Sequence, residues 1–598
     1  MQRLKDLIKK YFSNFVWFYR YLGNRIFIAF FLSISVSVLD GLGLTMFLPL
    51  LKLVDKGGNV NSDEIGNLSI IIETLEKTGI SLTVLSVLIT MILFFVLKGA
   101  AVYFQKVYQV YLQQGFIRKI RLNLLRNLNQ IKFKSFIASD VGRIQNTMTG
   151  EVLKVNQAFT TYMNTFQQGV MVAVYLVFAV FADSQFAVLV CIGGLTTNFL
   201  YRMIYSRTKA ASRALTMYDN FLQGQIIQHT AHFKYLKTTG GISNYSEKIE
   251  ETIYKVEKQR KKIGFLNSIS SAIREPILVI IIAIIIFIQI NYFNGVMGTI
   301  LISLLFFYRA LTSLMTLQES WNIFMSNVGS LENMQSFQDE LVYHREKDGK
   351  FDFGRFEKEI QLEHLGFSFG KTGILKDINL SIRKNQSIAF VGESGSGKTT
   401  LVNLICGLLS ETEGRIRIDD VLIKSLKKKT YQQRIGYVSQ DAVIFNDSIF
   451  NNVTFFAPKT EENLTRFQKV IKQAALDSFI DHLPNGKNTM LGNNGINLSG
   501  GQKQRISIAR ELYKEIDILI LDEATSALDS ETEKTIQESI EALQGSYTLI
   551  MIAHRLSTIK NVDKIVLMDK GQILEIDSFD NLVSKQERFR KMVELQEL

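Results

Sequence analysis

The period of hydrophobic and polar positions changes once along the chain. Through residue 326 the apolar residues fall in long runs; from about 359 onward they form short, strand-length runs alternating with helix-periodic segments. Six runs are long enough to cross a bilayer as helices: 25–53, 83–108, 158–182, 186–206, 266–291 and 296–326. Ahead of them, residues 4–22 set Lys and Arg among Phe, Trp and Tyr at helical spacing, which predicts an amphipathic helix in the membrane interface over 1–24. The connections at 111–157 and 207–263 are long and helix-periodic, whereas those at 183–186 and 292–295 are very short. This contrast predicts helices that run on well past the bilayer on one side only. Residues 70–76 read as a short amphipathic helix on the other side, or as a plain loop helix packed on the spans. Residues 329–358 are polar and read as a linker. The pattern therefore predicts four segments: an interfacial helix (1–24), a six-helix transmembrane domain (25–328), the linker (329–358) and an α/β domain (359–598).

Composition sharpens this reading. The chain has 598 residues, 47% of them apolar, and its mean hydropathy is +0.12 despite abundant charge. The net charge of +12 is compatible with nucleic-acid binding on its own. The basic residues, however, stand beside the apolar runs: Arg3, Lys5, Lys9, Lys10, Arg20 and Arg25 before the first, and Arg118, Lys119, Arg121, Arg126, Lys132, Lys134, Arg143 and Lys154 in 111–157. The connection after the first run is instead acidic, through Asp55, Asp63, Glu64, Glu73 and Glu76. The positive-inside rule then puts the N-terminus and the two long loops in the cytoplasm, and removes the need for a nucleic-acid partner. Two cysteines, Cys191 and Cys406, give no disulfide framework. The N-terminal stretch has no short apolar core with a small-residue cleavage site, so no removed signal peptide is expected.

Chemistry concentrates in the last 240 residues. The apolar run Ile388-Ala389-Phe390-Val391 leads into Gly392-Glu393-Ser394-Gly395-Ser396-Gly397-Lys398-Thr399-Thr400 and then into a helix-like run. Strand, glycine-rich turn and helix together make a phosphate cradle. Its backbone N–H groups and helix N-terminus face phosphate oxygens, Lys398 reaches the β- and γ-phosphates, and the Thr399 hydroxyl suits Mg²⁺. Downstream, Ile516-Asp517-Ile518-Leu519-Ile520-Leu521-Asp522-Glu523 is an apolar strand ending in two acids. Asp522 suits Mg²⁺, and Glu523 suits polarisation of the water that attacks the γ-phosphate.

Between these two stands Leu498-Ser499-Gly500-Gly501-Gln502, followed by a helix-like run. On this segment the chain resembles the ATP-binding cassette (ABC) transporters, whose signature it matches. The resemblance implies further roles, one at a time. Gln440, in Tyr437-Val438-Ser439-Gln440, matches the loop that contacts Mg²⁺ and moves with the membrane domain. Asp529, in Ser526-Ala527-Leu528-Asp529, matches the loop that crosses between subunits, and His554 matches the switch histidine that senses the γ-phosphate. Phe369 stands where the family stacks an aromatic, commonly Tyr, on adenine. His554 alone would read as an ordinary structural histidine; six elements in the family's order give it the functional reading. Six spans followed by one cassette resemble the exporter half-transporter, a multi-pass protein of the bacterial inner membrane with its cassette in the cytoplasm. In that family the signature residues Ser499, Gly500, Gly501 and Gln502 of one subunit close over the phosphate loop of the other, so a homodimer with ATP and Mg²⁺ is expected. One departure stands out: the run Thr489-Met490-Leu491-Gly492-Asn493-Asn494-Gly495 lacks the acids of the family's T-E-V-G-E-R-G-like segment, and Asn493 would have to replace them by neutral hydrogen bonding.

The spans carry Asp40, Lys98, Arg274, Glu275 and Arg309. A charge at the bilayer centre costs about 2.5–3.5 kcal/mol on insertion scales, so each is expected to face the interior or a partner. One reading is mutual pairing, of Arg274 or Lys98 with Asp40 or Glu275. The other is a substrate site, in which surplus cations bind an anionic head group, with Arg suited to phosphate. With the 70–76 segment and Asp40-Gly41-Leu42-Gly43-Leu44, the membrane half is similar to bacterial lipid-linked oligosaccharide flippases. That resemblance implies ATP-driven outward movement of a polyprenyl-pyrophosphate-linked oligosaccharide. Export of a phospholipid, a lipid A precursor or a hydrophobic drug is the alternative, and a non-transporting ATP-gated channel or regulator is a reading from another class.

Overall fold

The computed structural model describes residues 13–47, 49–50, 53, 83–182, 184–292, 297–523, 530–553 and 555–596. The expected helix at 70–76, Asp529 and His554 lie outside them. The chain forms two compact units. One comprises Met1–Ile131 with Ala138–Arg345; the other comprises Lys132–Ile137 with Glu346–Leu598.

The first unit is entirely helical among the described residues. Its longer helices are Arg25–Thr45, Val84–Leu128, Val152–Ala182, Ser184–Ala231, Ile242–Ala272, Arg274–Tyr292 and Met297–Tyr343. At 45 residues, Val84–Leu128 measures about 68 Å, roughly twice the thickness of a hydrocarbon core, so it must continue beyond the membrane. Among the described residues, four stretches are long and apolar enough to span: Arg25–Thr45, Val84–Leu128, Val141–Val180 and Ile242–Ile284. These hold four of the six expected spans. The other two, 186–206 and 296–326, fall in the helices Ser184–Ala231 and Met297–Tyr343. The first helix is interrupted at Met46, ahead of Pro49, and the described residues 47, 49, 50 and 53 are again helical.

Residues 13–22 are helical, and one face of this helix packs into the unit. Trp17, Phe18 and Leu22 are buried against Phe116 and Phe159, with edge-on ring contacts at 5.8 Å (Trp17–Phe116) and 5.3 Å (Phe18–Phe159). One expectation is corrected here: the polar stretch from 329 is no linker as far as Tyr343, since the last helix continues through it. Leu331, Met334, Phe337 and Leu341 recur at helical spacing and are buried, while the charges that lend the segment its polar composition occupy other faces. Glu340 pairs with Arg143 at 2.8 Å, and Glu332 accepts from Arg213 at 2.6 and 2.8 Å.

Among its described residues, the second unit contains ten strands. β1 (Glu359–Phe369), β2 (Thr372–Arg383), β4 (Glu413–Ile418) and β5 (Val421–Leu422) form an antiparallel sheet in the order β2-β1-β4-β5. β3 (Ser387–Val391), β6 (Ile435–Val438), β7 (Ile518–Asp522), β8 (Thr548–Ile552), β9 (Lys564–Asp569) and β10 (Gln572–Asp577) form the other, ordered β10-β9-β3-β8-β7-β6. Its strands β9, β3, β8, β7 and β6 run parallel. Every residue of β3, β7 and β8 is buried, as expected of parallel strands covered on both faces. Successive side chains divide between two cores: Ile388, Phe390, Ile518 and Ile520 enter one, while Ala389, Val391, Leu519 and Leu521 enter the other. The short helix Phe133–Ile137 belongs to this unit, with Phe133 packed on the first of these cores.

One buried cation fixes the loop after Gln440. Arg510, on the helix Gly500–Tyr513, donates to the Asn452 carbonyl (2.7 Å), the Asn452 side-chain oxygen (2.9 Å) and the Val443 carbonyl (2.7 Å). Arg510→Met removes three charge-assisted hydrogen bonds at once, an expected loss of about 3 kcal/mol, although Asn452 Oδ1 keeps the Phe445 N–H. Arg510→Lys should recover only part of it, because an ammonium cannot span the fork. Unfolding of the cassette in the full-length protein checks this; an unchanged midpoint for Arg510→Met would refute it.

Candidate active site

β3 delivers the phosphate loop at its carboxyl end, the usual ligand edge of a parallel sheet. Glycine is required at two points. A Cβ on Gly392 would lie 2.1 Å from the Met568 carbonyl, and Gly397 caps the helix Lys398–Ile405 from the left-handed region, φ 101°. Gly395 also has a positive φ. The first N–H groups of that helix have no intrahelical partners and face whatever the loop encloses. Lys398 is only 6% exposed; its Nζ donates to the carbonyls of Gly392 (2.7 Å) and Glu393 (3.1 Å). Burial lowers its pKa below the ordinary lysine value, opposed by the nearby Glu523 and Asp522 carboxylates. Ser396 is buried with its Oγ unpartnered, a free donor and acceptor inside the loop. Ser394 and Thr399 are exposed and Thr400 is half-buried, while the Glu393 carboxylate is turned away onto Arg588 at 2.7 Å.

β7 ends in the two acids. Asp522 is buried, and its Oδ2 accepts from the Tyr437 hydroxyl at 2.7 Å. Burial first, and then this carboxylate, raise the Tyr437 pKa well above that of a free phenol, so the hydroxyl remains a donor. Glu523 turns the chain with φ 49°, and its Oε2 accepts from Gln440 Nε2 at 2.6 Å. Gln440, Asp522 and Glu523 are thus brought to one edge with Lys398. The Gln440 amide donates through nitrogen, which leaves its oxygen to face elsewhere.

Ser499 caps the helix Gly500–Tyr513 in a reciprocal capping box: its Oγ accepts from Gln502 N–H at 3.3 Å, and Gln502 Oε1 accepts from Ser499 N–H at 2.9 Å. Ser499 and Gly500 are exposed and Gly501 is buried. Phe369 is 40% exposed, meets Phe367 edge-on at 4.8 Å, and carries Lys134 Nζ over its ring at 5.1 Å. The departure at 493–495 folds as a single 3₁₀ turn in which Asn494 adopts φ 51°.

In the membrane unit, Asp40 is 1% exposed and is paired: Lys98 Nζ donates to Oδ1 and the Tyr175 hydroxyl to Oδ2. Arg274 pairs with Glu319 at 3.4 Å rather than with Asp40 or Glu275, and Ser271 also donates to Glu319. Arg309 is exposed and has no ion pair among the described residues.

The sequence reading passed over Tyr437, Tyr175, Glu319 and Arg510. Tyr437 had a usable signal. It aligns with Ile520, two residues before Asp522 in a parallel pair, so it shares a face with that acid. The others come from distant parts of the chain and left no local pattern.

Residues 375–526 match the ABC transporter family, and residues 26–317 match the ABC transporter transmembrane region. The ATP-dependent lipid A-core flippase of Syntrophus aciditrophicus (strain SB) is 30% identical over 527 residues, spanning 85% of this chain and 85% of that protein. Its counterpart in Methylobacillus flagellatus is 26% identical over 574 residues, spanning 95% and 94%. A bacterial Atm1-family ABC exporter solved with ATP bound shares the fold, with a TM-score of 0.77 at 22% identity over 96% of this chain and 99% of that one. A membrane helical domain, a P-loop cassette carrying the signature segment, and these matches along most of its length make the chain a member of the ABC transporter family, an exporter-type half-transporter that couples ATP hydrolysis to transport.

Proposed function

We propose that this half-transporter is a flippase that moves a phosphate-bearing glycolipid from the cytoplasmic to the outer leaflet. One observation carries the reading: Asp40, Lys98 and Tyr175 satisfy one another and Arg274 is matched by Glu319, which leaves Arg309 as an exposed guanidinium without an ion pair among the described residues. A guanidinium in an apolar setting favours a phosphate. The polyprenyl-pyrophosphate-linked oligosaccharide is the specific substrate we assign. A lipid A-core precursor is the second reading, favoured by the names of the relatives. Both join a phosphorylated saccharide to apolar chains.

The working unit in this proposal is a homodimer in the inner membrane, with the N-terminus and both cassettes in the cytoplasm. Each ATP site takes the phosphate loop of one copy and the Ser499–Gln502 segment of the other. Glu523 acts as the general base on the attacking water, held in orientation by Gln440; Lys398 and the loop N–H groups hold the phosphates, and Phe369 stacks on adenine. Asp529 and His554 would complete the site from outside the described residues. The oxygens of Thr399, Gln440 and Asp522 form a hard donor set suited to Mg²⁺, which when bound neutralises phosphate charge. The buried Asp522, held by Tyr437 on one oxygen, fits that role.

Four outcomes test this. Glu523→Gln should retain ATP binding but lower turnover roughly 10²–10⁴-fold, measured on purified protein in lipid. Tyr437→Phe should raise the Mg²⁺ concentration needed for half-maximal ATP hydrolysis about 10–100-fold, the range for losing a group that orients a metal ligand. An unshifted Mg²⁺ titration would count against the metal role of Asp522. Polyprenyl-pyrophosphate glycan should stimulate ATP hydrolysis more than a lipid A-core precursor does, and Arg309→Ala should abolish translocation while ATP binding persists. Normal flipping by that variant refutes the substrate assignment, and stimulation by the lipid A-core precursor alone selects the second reading.

A further inference from the structure

A cleft of about 880 Å³ opens among the helix at 13–22, Val84–Leu128 and Met297–Tyr343, all within the membrane unit. Four cations line it, Arg20, Arg118, Lys119 and Arg126, against one acid, Asp339. None of the three arginines has an ion pair among the described residues, and all are exposed. Lys119 spends one N–H on the Tyr21 carbonyl at 2.6 Å and has two left.

A second, independent feature borders the same cleft. Gln338 lines it and is 8% exposed. The Tyr21 hydroxyl donates to Gln338 Oε1 at 2.8 Å, which fixes the amide and leaves Nε2 buried with no partner. An unpaired buried donor is costly and calls for an acceptor. Donors therefore dominate the cleft: guanidinium forks, an ammonium and an amide, the set that binds phosphate oxygens.

The position selects the source of that phosphate. Arg20 stands five residues before Arg25, where the first spanning helix begins, and that helix exposes Phe27 and Phe31. The cleft thus borders the apolar surface that the bilayer covers. Its volume far exceeds one phosphate group and accommodates a phosphate-bearing headgroup. Basic clefts beside membrane helices on the cytoplasmic side recruit anionic lipid head groups in this way.

We propose that this cleft binds the headgroup of an anionic phospholipid from the cytoplasmic leaflet, at a site separate from the transport route. The site does not involve Arg309, Asp40 or Lys98, so it stands or falls independently of the substrate assignment.

The test uses the full-length purified protein stripped of lipid, titrated with phosphatidylglycerol or phosphatidylcholine and read by native mass spectrometry. Phosphatidylglycerol should be retained in preference to phosphatidylcholine. Arg118→Ala combined with Arg126→Ala should weaken its retention about thirty-fold, from about 1 kcal/mol per surface cation. Gln338→Glu keeps an acceptor for Tyr21 but presents a carboxylate oxygen where the amide donated. It should weaken phosphatidylglycerol retention with an unchanged melting temperature, and it carries the test if the double variant does not fold. Equal retention of the two lipids, or wild-type retention by the folded variants, overturns the proposal. Displacement of phosphatidylglycerol by inorganic phosphate also overturns it, since the cleft would then be a free-anion site.

Discussion

Burying a charge without a partner is the cost that shapes both units, and Lys398 shows it most plainly. A nearly fully buried ammonium needs acceptors on several sides. The loop meets that need by folding back on itself so that the Gly392 and Glu393 carbonyls point inward at Nζ. Once those carbonyls face in, the N–H groups that follow are left for a ligand, and the helix Lys398–Ile405 adds its positive end. The glycines exist to permit this winding, as the 2.1 Å approach of a Cβ on Gly392 to the Met568 carbonyl makes clear. The lysine and the anion site are therefore two consequences of one backbone path.

The same constraint arranges the membrane unit with different residues. Asp40, buried on a spanning helix, takes hydrogen bonds from Lys98 and Tyr175, on two other long helices. Three helices are tied at one point by a group that could not stand alone there. Breaking such a cluster by removing one member costs more than the cluster itself contributes, because the remaining charge is left unmatched. Asp40 and Lys98 thus form a fixed pair that ties these helices together.

How much of this was legible beforehand depends on the distance over which each signal acts. The phosphate loop, the strand ending in Asp522-Glu523 and the Ser499 helix start are local: turn, strand and cap chemistry lie within a few adjacent residues, and the structure folds each segment as a loop, strand or cap accordingly. Arg510 holding Asn452 and Val443, or Tyr175 reaching Asp40 across 135 positions, depends on which elements meet, and no window on the sequence contains that. One misreading had a different cause. The segment from 329 is polar by composition, yet a four-residue apolar stripe was enough to make it helix and bury it. Composition describes a segment's average; its burial is decided by the face it can present.

The capping box at Ser499 bears on how a second copy would complete the proposed ATP site. Ser499 and Gln502 already satisfy each other's backbone groups in the single chain, and an N-cap of this kind is worth about 1 kcal/mol. The signature helix therefore needs no ligand to hold its N-terminus in shape. The loop after Gln440 is similarly anchored to that helix from behind by Arg510. Nucleotide closing two cassettes together would meet a surface whose donors are already ordered, and little of the binding energy would go into folding it. The Gln440–Glu523 contact is an exposed hydrogen bond between the end of β7 and the loop after β6. Exchanging that bond costs little, because water can re-satisfy both partners and a phosphate oxygen can accept from the Gln440 amide.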